Sequence, residues 1–217
     1  MQKKTMLHQL NIIVHLVAGS IAIILGIIAI LKNRNIPIHR KVGTYFKYLL
    51  VIVVCTGFLG FLFFQQEPFF LMLTLIAGYV GYTGFRNIQL KENRAGGVDL
   101  LISLISLSVT IWYGGYVIHH RLVANPVVVY STLGALVFVI SYDLLKYFFL
   151  HERLKKWWLY EHIYKVISAF SAMLSAFAGN VLLDYHPYSQ IGPSLICTLL
   201  IIYFIVQRAR ANVKTKY

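Results

Sequence analysis

Eight histidines stand in a chain of 217 residues that is 59% apolar and only 12% charged. Ionisable groups are costly in such surroundings, so these residues are the first to ask for chemistry. His15 shares a helical face with Gly19, Ala22, Gly26 and Ala29, which follow at the 3.6-residue period. His162 heads a similar face of Val166, Ala169, Met173, Ala176 and Asn180. Small residues beneath a histidine have two readings. One is close helix packing through a small-xxx-small seam; the other is room for a flat cofactor such as a haem hung from the imidazole. His39 lies in Ile38-His39-Arg40-Lys41-Val42-Gly43, and Arg40 offers a cation to an anionic group, a haem propionate or a lipid phosphate. His119 and His120 are adjacent; either can face His15, and an exposed loop pair is the alternative. The candidate cofactor-binding residues are thus His15, His39, Arg40, His119, His120 and His162, with haem b or a quinone as the ligand and no metal site of the cysteine or carboxylate kind.

Other chemistry is sparse. No HExxH, GxSxG, Walker or glycine-rich dinucleotide motif occurs. Cys55 and Cys197 each sit within an apolar run without metal-ligand spacing and read as packing residues. Asp143 precedes Lys146 by three residues, a spacing that pairs them along a helix, and Asp99 reads as a helix cap.

The elements that must position these residues follow from hydropathy. The mean hydropathy is +0.70, and so few polar side chains cannot cover a water-exposed surface, so the solvent is lipid. Seven segments are long enough to cross the hydrocarbon: 9–31, 42–64, 69–87, 99–119, 126–148, 162–183 and 191–207. Short connections make the chain one all-α membrane domain, a polytopic bundle of about seven transmembrane helices, and Pro68, Pro126 and Pro193 are expected to open their spans. The net charge of +13 would suggest nucleic acid in a soluble protein, but here the cations lie in the segments between apolar runs. With 32–41 placed inside, 17 of the 20 Lys and Arg fall on the inner side and only Lys3, Lys4 and Arg121 outside. The positive-inside rule then gives N-out, C-in, with membrane lipid and not nucleic acid as the partner. Trp157, Trp158 and Tyr160 read as anchors at the inner headgroup layer, and Trp112, Tyr113 and Tyr116 at the outer one.

The sequence resembles a bacterial family of predicted multi-span membrane proteins whose domain has no known function. The likeness rests on His15-Leu-Val-Ala-Gly19, on the His-Arg-x-x-Gly motif Ile38-His39-Arg40-Lys41-Val42-Gly43, and on Gly81-Tyr-Thr-Gly-Phe-Arg86 with Gly97-Val-Asp99. It extends through Tyr142-Asp143 and Glu161-His162 to Asn180. The resemblance implies the bacterial inner membrane and no particular activity. A weaker likeness is to the di-haem b-type cytochromes, in which four histidines on core helices hold one haem near each face. It implies an outer haem on His15 with His119 or His120, and an inner one on His39 with His162. This chain departs from that pattern, because its third helix has no histidine and His39 and His162 fall at helix ends.

Three functions follow. One is membrane redox through paired histidines with haem b or quinone. Another is a small-solute or ion transporter using His15, Asp143 and Asn180 along its path. The third is a non-catalytic subunit or assembly factor docked on other membrane-protein subunits.

Overall fold

The fold is described for residues 2–64, 68–120 and 126–214 by a computed structural model. Among the described residues there are helices and no strand, the all-α architecture expected from the sequence. Seven helices have 20 or more residues: α1 (Gln2–Leu31), α2 (Ile36–Phe64), α3 (Pro68–Leu90), α4 (Gly97–His119), α5 (Pro126–Leu145), α6 (Trp158–Val181) and α7 (Tyr188–Lys214). Between α5 and α6 the helical path is broken into a π turn, Lys146–Leu150, a single α turn, His151–Leu154, and a 3-10 turn, Lys155–Trp157. Arg121 and Lys216, counted in the charge asymmetry, lie outside the described residues.

Among the described residues, five helical stretches are long and apolar enough to cross a membrane: Met6–Leu31, Ile36–Phe64, Gly97–His119, Pro126–Val181 and Tyr188–Ala211. The fourth runs for 56 residues and takes in α5, the broken connection and α6. Large apolar side chains such as Leu10, Ile13, Leu16, Ile24, Leu62, Trp112, Phe138 and Leu199 are exposed on the outside of the bundle. Such a coat suits a hydrocarbon solvent and not water.

The helices run beyond the apolar segments at the end where the cations collect, here termed the basic end. Hydropathy marks where a helix meets hydrocarbon, whereas backbone hydrogen bonding continues into the polar layer. α2 therefore starts at Ile36 rather than 42, with Asn35 Oδ1 accepting the Ile38 N–H at 3.3 Å. His39 and Arg40 consequently lie inside its first turns. α6 starts at Trp158 rather than 162, so Glu161 and His162 sit one turn in. Pro193 does not open its helix; it lies in the second turn of α7 and withholds a hydrogen bond from the Ser189 carbonyl.

α3 and α6 form the centre of the bundle. α3 packs against α2, α4, α5 and α6, and α6 also packs against α1 and α7. The core between them holds Ala22, Phe46, Leu50, Val80, Ile140, Ala169 and Phe170. The small residues of α1 and α3 are what bring the helices this close. A Cβ on Gly26 would fall 2.5 Å from the Phe170 ring, and one on Gly84 would fall 2.9 Å from Val166 Cγ2 and 3.1 Å from its backbone nitrogen. Protein side chains thus fill the seam below His15.

Candidate functional site

α5 ends with Asp143 followed by Lys146, and α6 begins with Glu161 followed four residues later by Lys165. At helical spacing each segment shows an acid and a base on one face. The expected pairing of Asp143 with Lys146 along the chain does not form. The bases instead cross between the two segments. Lys165 Nζ lies 2.5 Å from Asp143 Oδ1, and Lys146 Nζ lies 2.7 and 2.6 Å from the two oxygens of Glu161. The α-helix gives way to the π turn at Lys146, and its ammonium reaches Glu161 in the first turn of α6 instead.

A third ion pair lies beside these. Arg86 near the end of α3 donates from Nε and Nη2 to Asp99 at 2.9 and 3.2 Å, while Gly96 N–H caps the same carboxylate at 2.8 Å. The expected capping role of Asp99 is thereby met, with Arg86 added to it. Each of the three carboxylates also accepts from a tyrosine hydroxyl. Tyr79 donates to Asp143 at 3.0 Å, Tyr142 to Glu161 at 2.7 Å and Tyr82 to Asp99 at 2.6 Å. The cluster thus repeats one arrangement three times: an acid, a base and a phenol. Asn87 Nδ2 adds a bond to Glu161 at 3.1 Å, and Ser103 Oγ lies 3.0 Å from the Tyr79 hydroxyl.

Three acids and three bases leave the cluster without net charge. It is nonetheless costly, because desolvation of each ion takes back several kcal/mol of what the pairing returns. The Lys165 side chain is 1% exposed, Glu161 6% and Asp143 14%. All six charged residues line one cavity at the basic end, together with Asn87, Ser103 and His151. Its volume is about 60 Å³, room for a few water molecules and not for a macrocycle. Leu90, Leu100 and Leu144 add apolar wall to it, and Val80, Leu136, Val139 and Ile140 are buried in the apolar core. Arg94 ties the connection after α3 to the π turn, donating to the Tyr147 carbonyl at 2.6 Å with its guanidinium 5.2 Å from that ring.

The histidines are placed elsewhere. His15 Nδ1 lies 2.8 Å from Thr56 Oγ1, whose own proton goes to the Ile52 and Val53 carbonyls, so the histidine is the donor. His39 Nδ1 donates to the Ala29 carbonyl and His162 Nδ1 to the Gly84 carbonyl, each at 2.9 Å. The Phe85 ring packs edge-on to His162. Backbone carbonyls, and not the carboxylates of Glu161 or Asp143, hold the rings of His39 and His162. His119 and His120 are exposed; their rings stand edge to face at 5.1 Å, and His120 packs on Tyr116. Arg40 is exposed on α2. Asn180 is exposed and bonds its own helix at Ala176. His15, Asp143 and Asn180 therefore have separate hydrogen-bond partners.

The sequence reading missed Tyr79, Tyr82, Tyr142, Asn87 and the partnership of Lys165. A signal was present. The chain has only seven Asp and Glu, and Asp143 inside one apolar segment and Glu161 at the edge of another each have a base about one turn further along. No group of three or more His, Cys, Asp or Glu suited to a metal ion occurs among the described residues. No known protein family, curated protein or solved structure matches the chain.

Proposed function

We propose that the chain is a seven-span protein of the bacterial cytoplasmic membrane, C-terminus inside, that carries protons through its ionic cluster as a proton-coupled transporter. The observation that carries this reading is the Asp143–Lys165 pair, a nearly unexposed ammonium held against a carboxylate within a lipid-coated bundle. Ionisable groups at such depth are expensive and mark proton or ion pathways when they line a polar space. Here they line a cavity of water dimensions at the end that the charge asymmetry assigns to the cytoplasm. A proton arriving through water in that cavity neutralises Asp143 or Glu161 and loosens the hold on its lysine. The tyrosine hydroxyl on each carboxylate keeps the acid oriented in either state. The apolar residues beyond the cavity form the barrier that a transport cycle has to open.

Purified protein in vesicles containing a pH-sensitive dye tests this. Wild type should equilibrate an imposed pH gradient faster than protein-free vesicles, and the double substitution Asp143→Asn with Lys165→Gln should remove the difference. Wild-type flux equal to that of empty vesicles, or unchanged in the double variant, would overturn the proposal.

A redox reading with haem b or quinone at His39 and His162 has one observation in its favour. Both rings carry their proton on Nδ1, fixed by a backbone carbonyl, which leaves the Nε2 lone pair for a ligand. A reduced-minus-oxidised absorption spectrum of the purified membrane protein decides it: a b-type band lost in His162→Leu supports this reading, and a featureless spectrum removes the haem version.

A further inference from the structure

A second space lies on the outside of the bundle, between α2 and α3. It is an open groove of about 210 Å³ with walls from Leu50, Val51, Val54 and Cys55 on α2 and from Gly78, Gly81 and Phe85 on α3. Gly78 and Gly81 let α2 approach closely, their positions facing Val54 and Leu50, and Tyr82 adds to the α3 wall. At the basic end the lining changes character to Lys47, Arg86 and Gln89. We propose that this groove binds one anionic phospholipid, with an acyl chain along the apolar walls and the phosphate at Lys47 and Arg86.

Charge complementarity selects this occupant. Lys47 has no carboxylate within ion-pair distance among the described residues, and its ammonium lies over the Tyr48 ring, 4.8 Å from the centroid. Arg86 holds Asp99 with Nε and Nη2 and Gln89 with Nη1, lines the groove as well as the cluster's cavity, and its side chain is still 35% exposed. Arg40 and Lys41, exposed earlier on α2, add to the local field. A cationic rim above an apolar trough at headgroup depth matches a phosphodiester joined to an acyl chain. A free anion would leave the trough without an occupant, and a neutral lipid would leave Lys47 without a partner. The inference rests on the membrane placement of the bundle and not on proton transfer.

The test uses protein reconstituted in equimolar phosphatidylglycerol and phosphatidylcholine, then released from detergent for native mass spectrometry. Wild type should retain one lipid, with phosphatidylglycerol preferred. Lys47→Gln should lower that preference about fivefold, the factor matching the ~1 kcal/mol a basic residue contributes near an anionic lipid surface. Lys41→Gln should leave it within about twofold, and Val51→Phe, which fills the groove, should abolish retention. Absence of headgroup preference in wild type, an unchanged preference in Lys47→Gln, or full retention by Val51→Phe would each overturn the site. A measurement on the wild-type chain guards against misfolded variants. Cys55 is exposed in the groove and Cys197 is buried, so a fluorophore on Cys55 should be quenched more by acyl-brominated phosphatidylglycerol than by the brominated phosphatidylcholine. Equal quenching by the two would overturn the site as well.

Discussion

If Lys165 depends on Asp143, removing the carboxylate alone should damage the fold more than removing both charges. In Asp143→Asn the ammonium stays in a position where the side chain is 1% exposed, with only neutral dipoles and the Tyr142 ring, 5.9 Å from it, as partners. A broken buried pair costs about 3–5 kcal/mol. In Lys165→Met the stranded carboxylate is better placed, since it is 14% exposed and keeps the Tyr79 hydroxyl, so about 2–3 kcal/mol is expected. Asp143→Asn with Lys165→Met removes both charges and should lie within about 2 kcal/mol of wild type, because buried pairs replaced by uncharged groups are often neutral. The cycle then gives a coupling of roughly 3 kcal/mol or more. Reversible unfolding in mixed micelles, followed by circular dichroism, measures all four proteins. The exposed Lys155–Glu152 pair, whose acid is 77% exposed, is the internal control and should contribute less than about 1 kcal/mol. If the two single losses add to the double loss within about 0.5 kcal/mol, the groups are not coupled and the reasoning fails.

Other outcomes follow from the packing. Gly26→Leu should destabilise strongly, because even a Cβ meets the Phe170 ring at 2.5 Å, while the neighbouring change Ile27→Leu on an exposed side chain should shift the unfolding midpoint little; equal midpoints would mean that α1 is rotated from the orientation described. Gly84→Ala should cost about 1–3 kcal/mol by forcing α3 from the α6 backbone, whereas Gly43→Ala, with nothing within 4 Å, should be neutral or slightly stabilising; thermal unfolding of the pair checks the contrast. In a variant lacking Cys55 and Cys197, a cysteine introduced by Arg208→Cys should resist an impermeant thiol reagent applied to intact cells. Labelling from outside would reverse the orientation argued from the charge asymmetry.

The helical architecture was legible because lipid exposure writes it into composition. Each apolar run became a helix, and the seam of α1 could be read from Gly26 and Ala22 at helical spacing. The ends were less legible. Ile36–Lys41 and Trp158–Glu161 are helical but polar, and a hydropathy criterion responds to the solvent around a residue, not to its backbone hydrogen bonds. Pro193 misled for a related reason: proline is favoured in a first turn, but where a helix begins is decided by the chain before it, here Tyr188–Gln190.

The site was legible as an inventory and not as a set of pairs. Sequence spacing governs which side chains share a helix face, so Asp143 and Lys146 appeared to be partners. Partners across helices depend on register, and the chain reaches α6 through a π turn at Lys146–Leu150 that no residue type in that stretch announces. The histidines drew attention because imidazole is rare in apolar sequence. Yet His15, His39 and His162 each direct Nδ1–H to an oxygen on another helix or turn, a use of histidine that leaves no trace in spacing. Acid scarcity was the stronger guide. Of seven acidic residues, Asp99, Asp143 and Glu161 are enclosed by partners: Asp99 by Arg86, Tyr82 and the Gly96 N–H, Asp143 by Lys165 and Tyr79, and Glu161 by Lys146, Tyr142 and Asn87. A carboxylate persists in a lipid-facing bundle only if the fold supplies a cation and donors for it, so each such acid fixes the position of two or three helices around it. In this protein Asp143 and Glu161, with the lysines, tyrosines and amide that meet them, therefore hold α3, α5 and α6 together at the basic end.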